Sequence, residues 1–316
     1  MKLHKDKKAM EALISNISER TKIRRDVLEK DYYVTLVLEE LSNKENQNYT
    51  YFKGGTALYK ALKSVRRFSE DIDLTVYVND LNNNSQKRKR LRQAVLGYQS
   101  LEFKEKLIDR KGCIEVIYKY DSLFQLQRED TLQRVGNVKI EATSFTISEP
   151  IMMLEIAPHL YELSTKEEKE KLELIYDVKP FNIGTVSMQR IFVDKIFAAE
   201  FYYQREMIIE FCKHIYDVTI MYKLDDIEQL FNDRDHLVYL VNLKRLEETE
   251  RNGGISNKLS ICNFGYLNDQ SFYFSEKFNN SLKYIHNTYV FNKKDFLENK
   301  DILNVFYKIK QVFYEL

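Results

Sequence analysis

The chain has 316 residues, 44% of them hydrophobic, enough for two core-bearing units of about 100–200 residues each. Lysine and arginine (49) nearly balance aspartate and glutamate (48), so the net charge of +1 supplies no bulk attraction to nucleic acid. With 9 glycines and 3 prolines, a turn-rich all-β fold is disfavoured and long helices are expected.

Apolar spacing predicts helices over residues 5–20 and 23–42; in the second, Val27, Tyr33, Val34, Val37, Leu38 and Leu41 recur near the helical period. Its adjacent Glu29, Lys30 and Asp31 read as surface ion pairs. Asn48 to Phe52 reads as a short strand leading into the glycine pair Gly54-Gly55, with a helix over Thr56 to Lys63. Arg66 to Glu70 is a polar connection, and Ile72 to Val78 a strand.

The chemistry concentrates in this stretch. Residues two apart on a strand face one side, so Asp71 and Asp73 point together while Ile72 points to the core. Two neighbouring carboxylates repel and are costly to desolvate unless a cation joins them, and hard oxygen ligands suit Mg²⁺. Backbone amides at a glycine-rich turn that opens a helix approach phosphate closely, which makes Gly54, Gly55 and Thr56 a candidate cradle. Arg67 would counter triphosphate charge, and Ser69 would bond a phosphate or cap the turn. A glycine pair alone reads as a turn and an acid pair alone as solvated charge; in this order they point to nucleotidyl transfer.

Residues 79–86 are a loop by composition, after which Lys87, Arg88, Lys89, Arg90 and Arg92 open a helix expected to run to about residue 105. That basic run is either a solvated helix face or a track for RNA phosphates. Cys113 to Tyr120 and Val138 to Phe145 alternate as strands. In the second, Lys139, Glu141 and Thr143 share a face, which makes Glu141 either a solvent-facing residue or a third acid, since metal sites gather carboxylates from neighbouring strands. Ile151 to Ile156 reads as a further strand, Thr165 to Leu174 as a helix, and Val178 to Gly184 as a strand or linker.

From Val186 the pattern is helical. One helix carries Phe192, Ile196 and Ala199 with Asp194 and Lys195 beside them; the next carries Ile208, Phe211, Ile215, Val218 and Met221 with Asp217 nearby. A separation of 22 residues fits a hairpin that turns Lys195 toward Asp217, either as an ordinary salt bridge or as a phosphate-binding cation and its partner. Helical runs and loops then alternate to an amphipathic segment, Ile302 to Phe313. No apolar run approaches the ~18 residues of a membrane span. The start, MKLHKDKKAMEALI, lacks a secretory core and cleavage site, so a cytoplasmic protein is expected. Cys113, Cys212 and Cys262, scattered and odd in number, fit reduced thiols.

KGGTAL (Lys53 to Leu58) followed by RFSEDIDL (Arg67 to Leu74) resembles the AbiEii/AbiGii toxin family of nucleotidyltransferase-fold proteins. EKDYYVTLVL (Glu29 to Leu38), DKIFA (Asp194 to Ala198) and KHIYD (Lys213 to Asp217) are similar to other segments of that family. Residues and resemblance together lead us to expect an α+β protein, with a nucleotidyltransferase-like mixed-sheet lobe over 1–185, a mainly helical lobe over 186–316, and the active site in the cleft between them. Asp71, Asp73, Lys195 and Asp217 are the expected catalytic residues. Gly54, Gly55, Thr56, Arg67, Ser69 and Lys195 would bind the nucleotide, and Asp71, Asp73 and Glu141 would hold Mg²⁺, or Mn²⁺ in its place. The resemblance further implies a bacterial toxin of a toxin–antitoxin or phage-abortive system, neutralised by a cognate DNA-binding antitoxin, that moves a nucleotide from an NTP to an RNA acceptor, the tRNA 3′ end. The competing readings are an NTP-binding switch or scaffold without catalysis, and transfer to a protein hydroxyl.

Overall fold

The structure is a computed structural model that describes residues 1–63, 67–110, 112–124, 135–251 and 253–315. Arg66, the first residue of the polar connection, lies outside the described residues. The chain divides into two compact units, Met1–Val186 and Ser187–Leu316.

Among the described residues the first unit holds a seven-stranded mixed sheet: β1 (Thr50–Lys53), β2 (Ile72–Val76), β3 (Glu102–Arg110), β4 (Cys113–Lys119), β5 (Asn137–Thr143), β6 (Ile151–Ile156) and β7 (Phe181–Val186), in the order β3-β4-β5-β2-β1-β7-β6. The β2/β5 and β1/β7 pairs are parallel and the others antiparallel. Alternation divides the central strands by face. Ile72, Leu74, Ile114, Val116, Ile140 and Ala142 are buried, each large side chain contributing about 1.5–3 kcal/mol by leaving water. The opposite parity carries Asp73, Glu115, Lys139 and Glu141, all partly exposed.

Among the described residues six α-helices accompany the sheet: α1 (Lys7–Thr21), α2 (Arg25–Ser42), α3 (Gly54–Ala61), α4 (Asn84–Val95), α5 (His159–Glu162) and α6 (Lys166–Tyr176). Two sequence expectations fail here for physical reasons. The helix opened by the basic run stops at Val95, because Gly97 takes a left-handed φ of +80° and Glu102–Arg110 becomes the edge strand β3. That strand is exposed on both faces, so its sequence, EFKEKLIDR, lacks the one-sided alternation that marks a strand. The charges of α2 are not on the surface either: Glu29, Lys30 and Asp31 are all buried. Each has a partner, as a buried charge requires. Glu29 accepts from Ser122 Oγ at 2.6 Å and Leu123 N at 2.7 Å, the Lys30 ammonium donates to the Asn137 carbonyl, and Asp31 pairs with Lys60 at 2.7 Å.

The second unit is helical: α7 (Met188–Tyr203), α8 (Ile208–Met221), α9 (Asp225–Asn232), α10 (Arg234–Glu250), α11 (Gly265–Asn268), α12 (Glu276–Tyr289) and α13 (Asn299–Tyr314). α7 and α8, joined by a short turn, pack against each other through a core that includes Phe192, Ile196, Phe211, Ile215 and Val218.

Candidate active site

In the first unit β1 runs into α3 with no loop between them, and Gly54 makes the turn at a φ of +79°, a conformation that costs glycine little. The space a side chain would fill there is taken by an acid. A Cβ built on Gly54 lies 2.0 Å from Asp73 Oδ2 and 2.8 Å from Asp73 Cγ. A Cβ on Gly55 meets Ser69 Oγ at 2.7 Å and Arg67 Nη2 at 3.3 Å. The Thr56 hydroxyl donates to the Asp71 carbonyl at 2.5 Å, tying the first turn of α3 to the residue that precedes β2. Gly54, Gly55, Thr56, Ser69, Asp71 and Asp73 thus converge on one turn. Arg67 is buried beside them, its Nη1 donating to the Phe68 carbonyl at 3.0 Å and its guanidinium 5.1 Å from the centre of the Tyr59 ring.

Strand register places the remaining acids. Lys53 is opposite Asp73, Asp73 opposite Glu141, and Glu141 opposite Glu115, so one row of charged residues crosses β1, β2, β5 and β4. At one end of the row, Lys53 Nζ donates to Thr143 Oγ1 at 3.2 Å. Beside the row stands Lys139, with Nζ 3.5 Å from Glu115, 3.7 Å from Glu141 and 3.8 Å from Asp71. Burial works against the Lys139 charge, but Asp71, Glu141, Glu115 and Asp73 outweigh it and hold the ammonium above its usual range.

Among the described residues, one set of donor atoms close enough to share a metal ion is Cys113, Glu115 and Glu141, mutually within 4.8 Å. Burial, together with the charges of Glu141 and Glu115, pushes the Cys113 thiol up to about 11, so at neutral pH it stays protonated and is a poor donor to a hard cation. The carboxylates of Glu115 and Glu141, with Asp73 on β2 and Asp71 just before it, are the kind of oxygen donors that a hard divalent ion prefers. Glu141 belongs both to the Cys113–Glu115–Glu141 set and to the one expected from sequence, whereas Asp71 and Asp73, expected beside it as metal ligands, lie outside that set. Glu115 is not among the residues expected from sequence, and Cys113 is expected there only as a reduced thiol. The alternation of β4 places them on one parity, but only the antiparallel pairing of β4 with β5 brings that parity to Glu141.

The basic run on α4 is largely matched by acids. Arg88, Arg92 and Lys106 converge on Asp109 at 2.7, 3.0 and 2.6 Å, holding its carboxyl far below the ordinary carboxylate range. Arg90 pairs with Asp80 at 2.6 Å and lies 3.9 Å from the centre of the Tyr49 ring.

In the second unit, α7 and α8 bring Lys195 and Asp217 into a buried ion pair at 2.8 Å. Asp194, beside Lys195 in sequence, instead joins a network between α7 and α10. It accepts from Arg190 Nε at 3.0 Å, and Lys244, 3.8 Å from Asp194, pairs with Glu247 at 3.0 Å and Glu248 at 2.9 Å. Among the described residues no helix is long and apolar enough to cross a membrane.

A search of curated proteins finds no match to the chain. Among solved structures it is similar to MenT4, a nucleotidyltransferase toxin from Mycobacterium tuberculosis H37Rv, at 12% identity and a TM-score of 0.41, over 93% of this chain and 98% of that one. The sequence profile of a family described as nucleotidyl transferase AbiEii toxin, type IV toxin–antitoxin system, matches residues 36–260, well over half the chain. The chain therefore belongs to the AbiEii family of nucleotidyl transferase toxins of type IV toxin–antitoxin systems.

Proposed function

We propose that the protein transfers a nucleotide from an NTP to the 3′ end of an RNA, tRNA being the acceptor, and so blocks translation and growth. The observation that carries this reading is the packing of Gly54 on Asp73, where the turn and the carboxylate touch and Glu141 stands in register beside them. The amides of Gly55 and Thr56 at the start of α3 would receive the triphosphate, with Ser69 and Arg67 flanking Gly55. Asp71, Asp73 and Glu141, with Glu115 beside them, are the residues that would hold Mg²⁺ or Mn²⁺. A divalent ion bound there neutralises the phosphates.

In the reaction, the acceptor hydroxyl oxygen forms a bond to the α-phosphorus, the bond from that phosphorus to the bridging oxygen breaks, and pyrophosphate leaves with the bond's electron pair. The hydroxyl proton passes to a carboxylate or to solvent. The family resemblance would give Lys195 the role of a cation for the phosphates; its ion pair with the fully buried Asp217 lies within the second unit. Positioning and charge neutralisation give most of the acceleration. A cognate DNA-binding antitoxin in the same cytoplasm would restrain the toxin.

The test is incubation of the protein with each labelled NTP, Mg²⁺, and either total RNA or cell protein. Label in RNA, lost with Asp71→Ala or Asp73→Asn, is the expected result. Label in protein would replace the acceptor, and tight NTP binding without transfer would replace the enzyme with a binding switch. Undiminished growth arrest by Asp71→Ala at equal expression would overturn the mechanism.

A further inference from the structure

Lys139, only partly buried, is paired differently from the buried Lys60, Lys195 and Lys244; Lys244 also faces three carboxylates but approaches two of them to 2.9–3.0 Å. Lys60 and Lys195 each sit 2.7–2.8 Å from one carboxylate oxygen, the separation of a dedicated charged hydrogen bond. Lys139 instead stands 3.5–3.8 Å from three carboxylates on three chain segments: Glu115 on β4, Glu141 on its own strand β5, and Asp71 before β2. Asp73 adds its charge from the same face. A charged ammonium donates protons and cannot ligate a metal, yet its charge stands among carboxylates that a divalent ion would have to draw in to about 2.0–2.1 Å. A flexible four-carbon stem lets such a group swing aside.

We propose that Lys139 is the resident counter-cation of this acid cluster: its ammonium holds Asp71, Glu115 and Glu141 together, and loading the site with a divalent ion requires it to withdraw. The inference rests on the reading of these acids as the metal site of nucleotidyl transfer. Lys139 is a positioning residue with two opposed effects. It relieves repulsion among the carboxylates when no metal is bound, and it weakens metal binding by charge.

The experiment uses the full chain, stripped of metal, with Mn²⁺ alone as the probe. Binding is followed by the electron spin resonance of free Mn²⁺, and thermal unfolding is recorded in chelator and in saturating Mn²⁺. Lys139→Met is expected to bind Mn²⁺ at least tenfold more tightly than wild type, to melt lower in chelator, and to gain more on Mn²⁺ addition. Lys139→Arg, which keeps the charge, should restore wild-type affinity. Lys139→Gln answers the same question if the methionine variant aggregates. Unchanged or weaker Mn²⁺ affinity in the neutral variants overturns the proposal, as does an equal loss of melting temperature with and without Mn²⁺, which is the mark of a purely structural lysine. The two readings fail separately. If Asp73→Asn and Glu141→Gln weaken Mn²⁺ binding but the neutral Lys139 variants leave it unchanged, only the counter-cation falls. If all of these substitutions leave Mn²⁺ binding unchanged, the metal site itself falls with it.

Discussion

Gly54→Ala separates the cost of an unusual backbone from the cost of disturbing the acid beside it. Any L-residue at the φ of +79° found at Gly54 carries a left-handed strain of about 1–2 kcal/mol. The same strain can be measured alone at Gly97, which has a φ of +80° and nothing within 4 Å of an added Cβ. At Gly54 the new methyl also comes within 2.0 Å of Asp73 Oδ2, 2.8 Å of Cγ and 2.9 Å of Cβ. Rotating the Asp73 side chain relieves the first two contacts. It leaves the third, because the position of Asp73 Cβ is fixed by the backbone of β2, so α3 and β2 must also part. Overpacking of this kind costs roughly a further 1–3 kcal/mol.

Gly97→Ala should therefore lose about 1–2 kcal/mol and melt a few degrees lower while keeping full transfer activity. Gly54→Ala should lose roughly 2–5 kcal/mol and at least a hundredfold in nucleotide transfer, because each escape from the clash moves the carboxylate or retracts the turn. Guanidinium unfolding of both variants, with labelled-NTP transfer and growth arrest in cells lacking the antitoxin, makes the comparison. A Gly54→Ala protein as stable as Gly97→Ala and fully active would refute the reasoning, since Asp73 would then not need its place against the turn.

Asp31→Asn should destabilise the first unit by about 3–5 kcal/mol, because it strands the buried Lys60 ammonium now 2.7 Å away; the double variant Asp31→Leu/Lys60→Met should recover much of that loss in denaturant titrations. Lys195→Met strands the fully buried Asp217 and should cost stability by the same argument; in protein that is still folded by circular dichroism it should raise the KM for the NTP at least tenfold, and a wild-type KM would remove Lys195 from the proposed site. In the second unit, burial lowers His286 to about 4, and its Nε2 accepts from the Leu297 amide at 3.2 Å. The folded state therefore binds this proton less readily than the unfolded chain. The contribution is complete above the unfolded value near 6.5 and is lost as pH falls toward 4, a change on the order of 3 kcal/mol. His286→Gln should flatten the pH dependence of unfolding over that window.

What could be read from sequence was what depends on near neighbours. Asp71 and Asp73 are brought to one side by local side-chain parity, and the glycine turn is written in two adjacent residues, whereas Glu141 meets Asp73 only through the β2–β5 pairing. Glu115 joins them only through the β4–β5 pairing, across a chain separation that no local pattern encodes. The charges of α2 misled for a related reason. An EKD triplet on a solvated helix and the same triplet facing Ser122, Asn137 and Lys60 look alike until those distant partners are placed. β3 was missed because an edge strand exposed on both faces has no buried side to mark it. Asp109 likewise ties Arg88 and Arg92 of the basic run into ion pairs, and it is supplied by that unrecognised strand.

The candidate site is positioned by the sheet itself, which makes fold and geometry inseparable. Asp73, Glu141 and Glu115 keep their row only while the β1–β2–β5–β4 ladders keep register, and a slip of one residue would exchange every acid for a core side chain such as Ile72 or Ile140. α3 is fixed to that frame near both ends. Thr56 holds its start to the residue before β2, and Lys60, near its end, is bound to Asp31 and to the Ala157 carbonyl at 2.8 Å. The buried Lys60–Asp31 pair thus helps anchor α3, whose start carries the glycine turn beside Asp73. Damage at Asp31 should consequently reach nucleotide handling through α3 even in protein that remains folded.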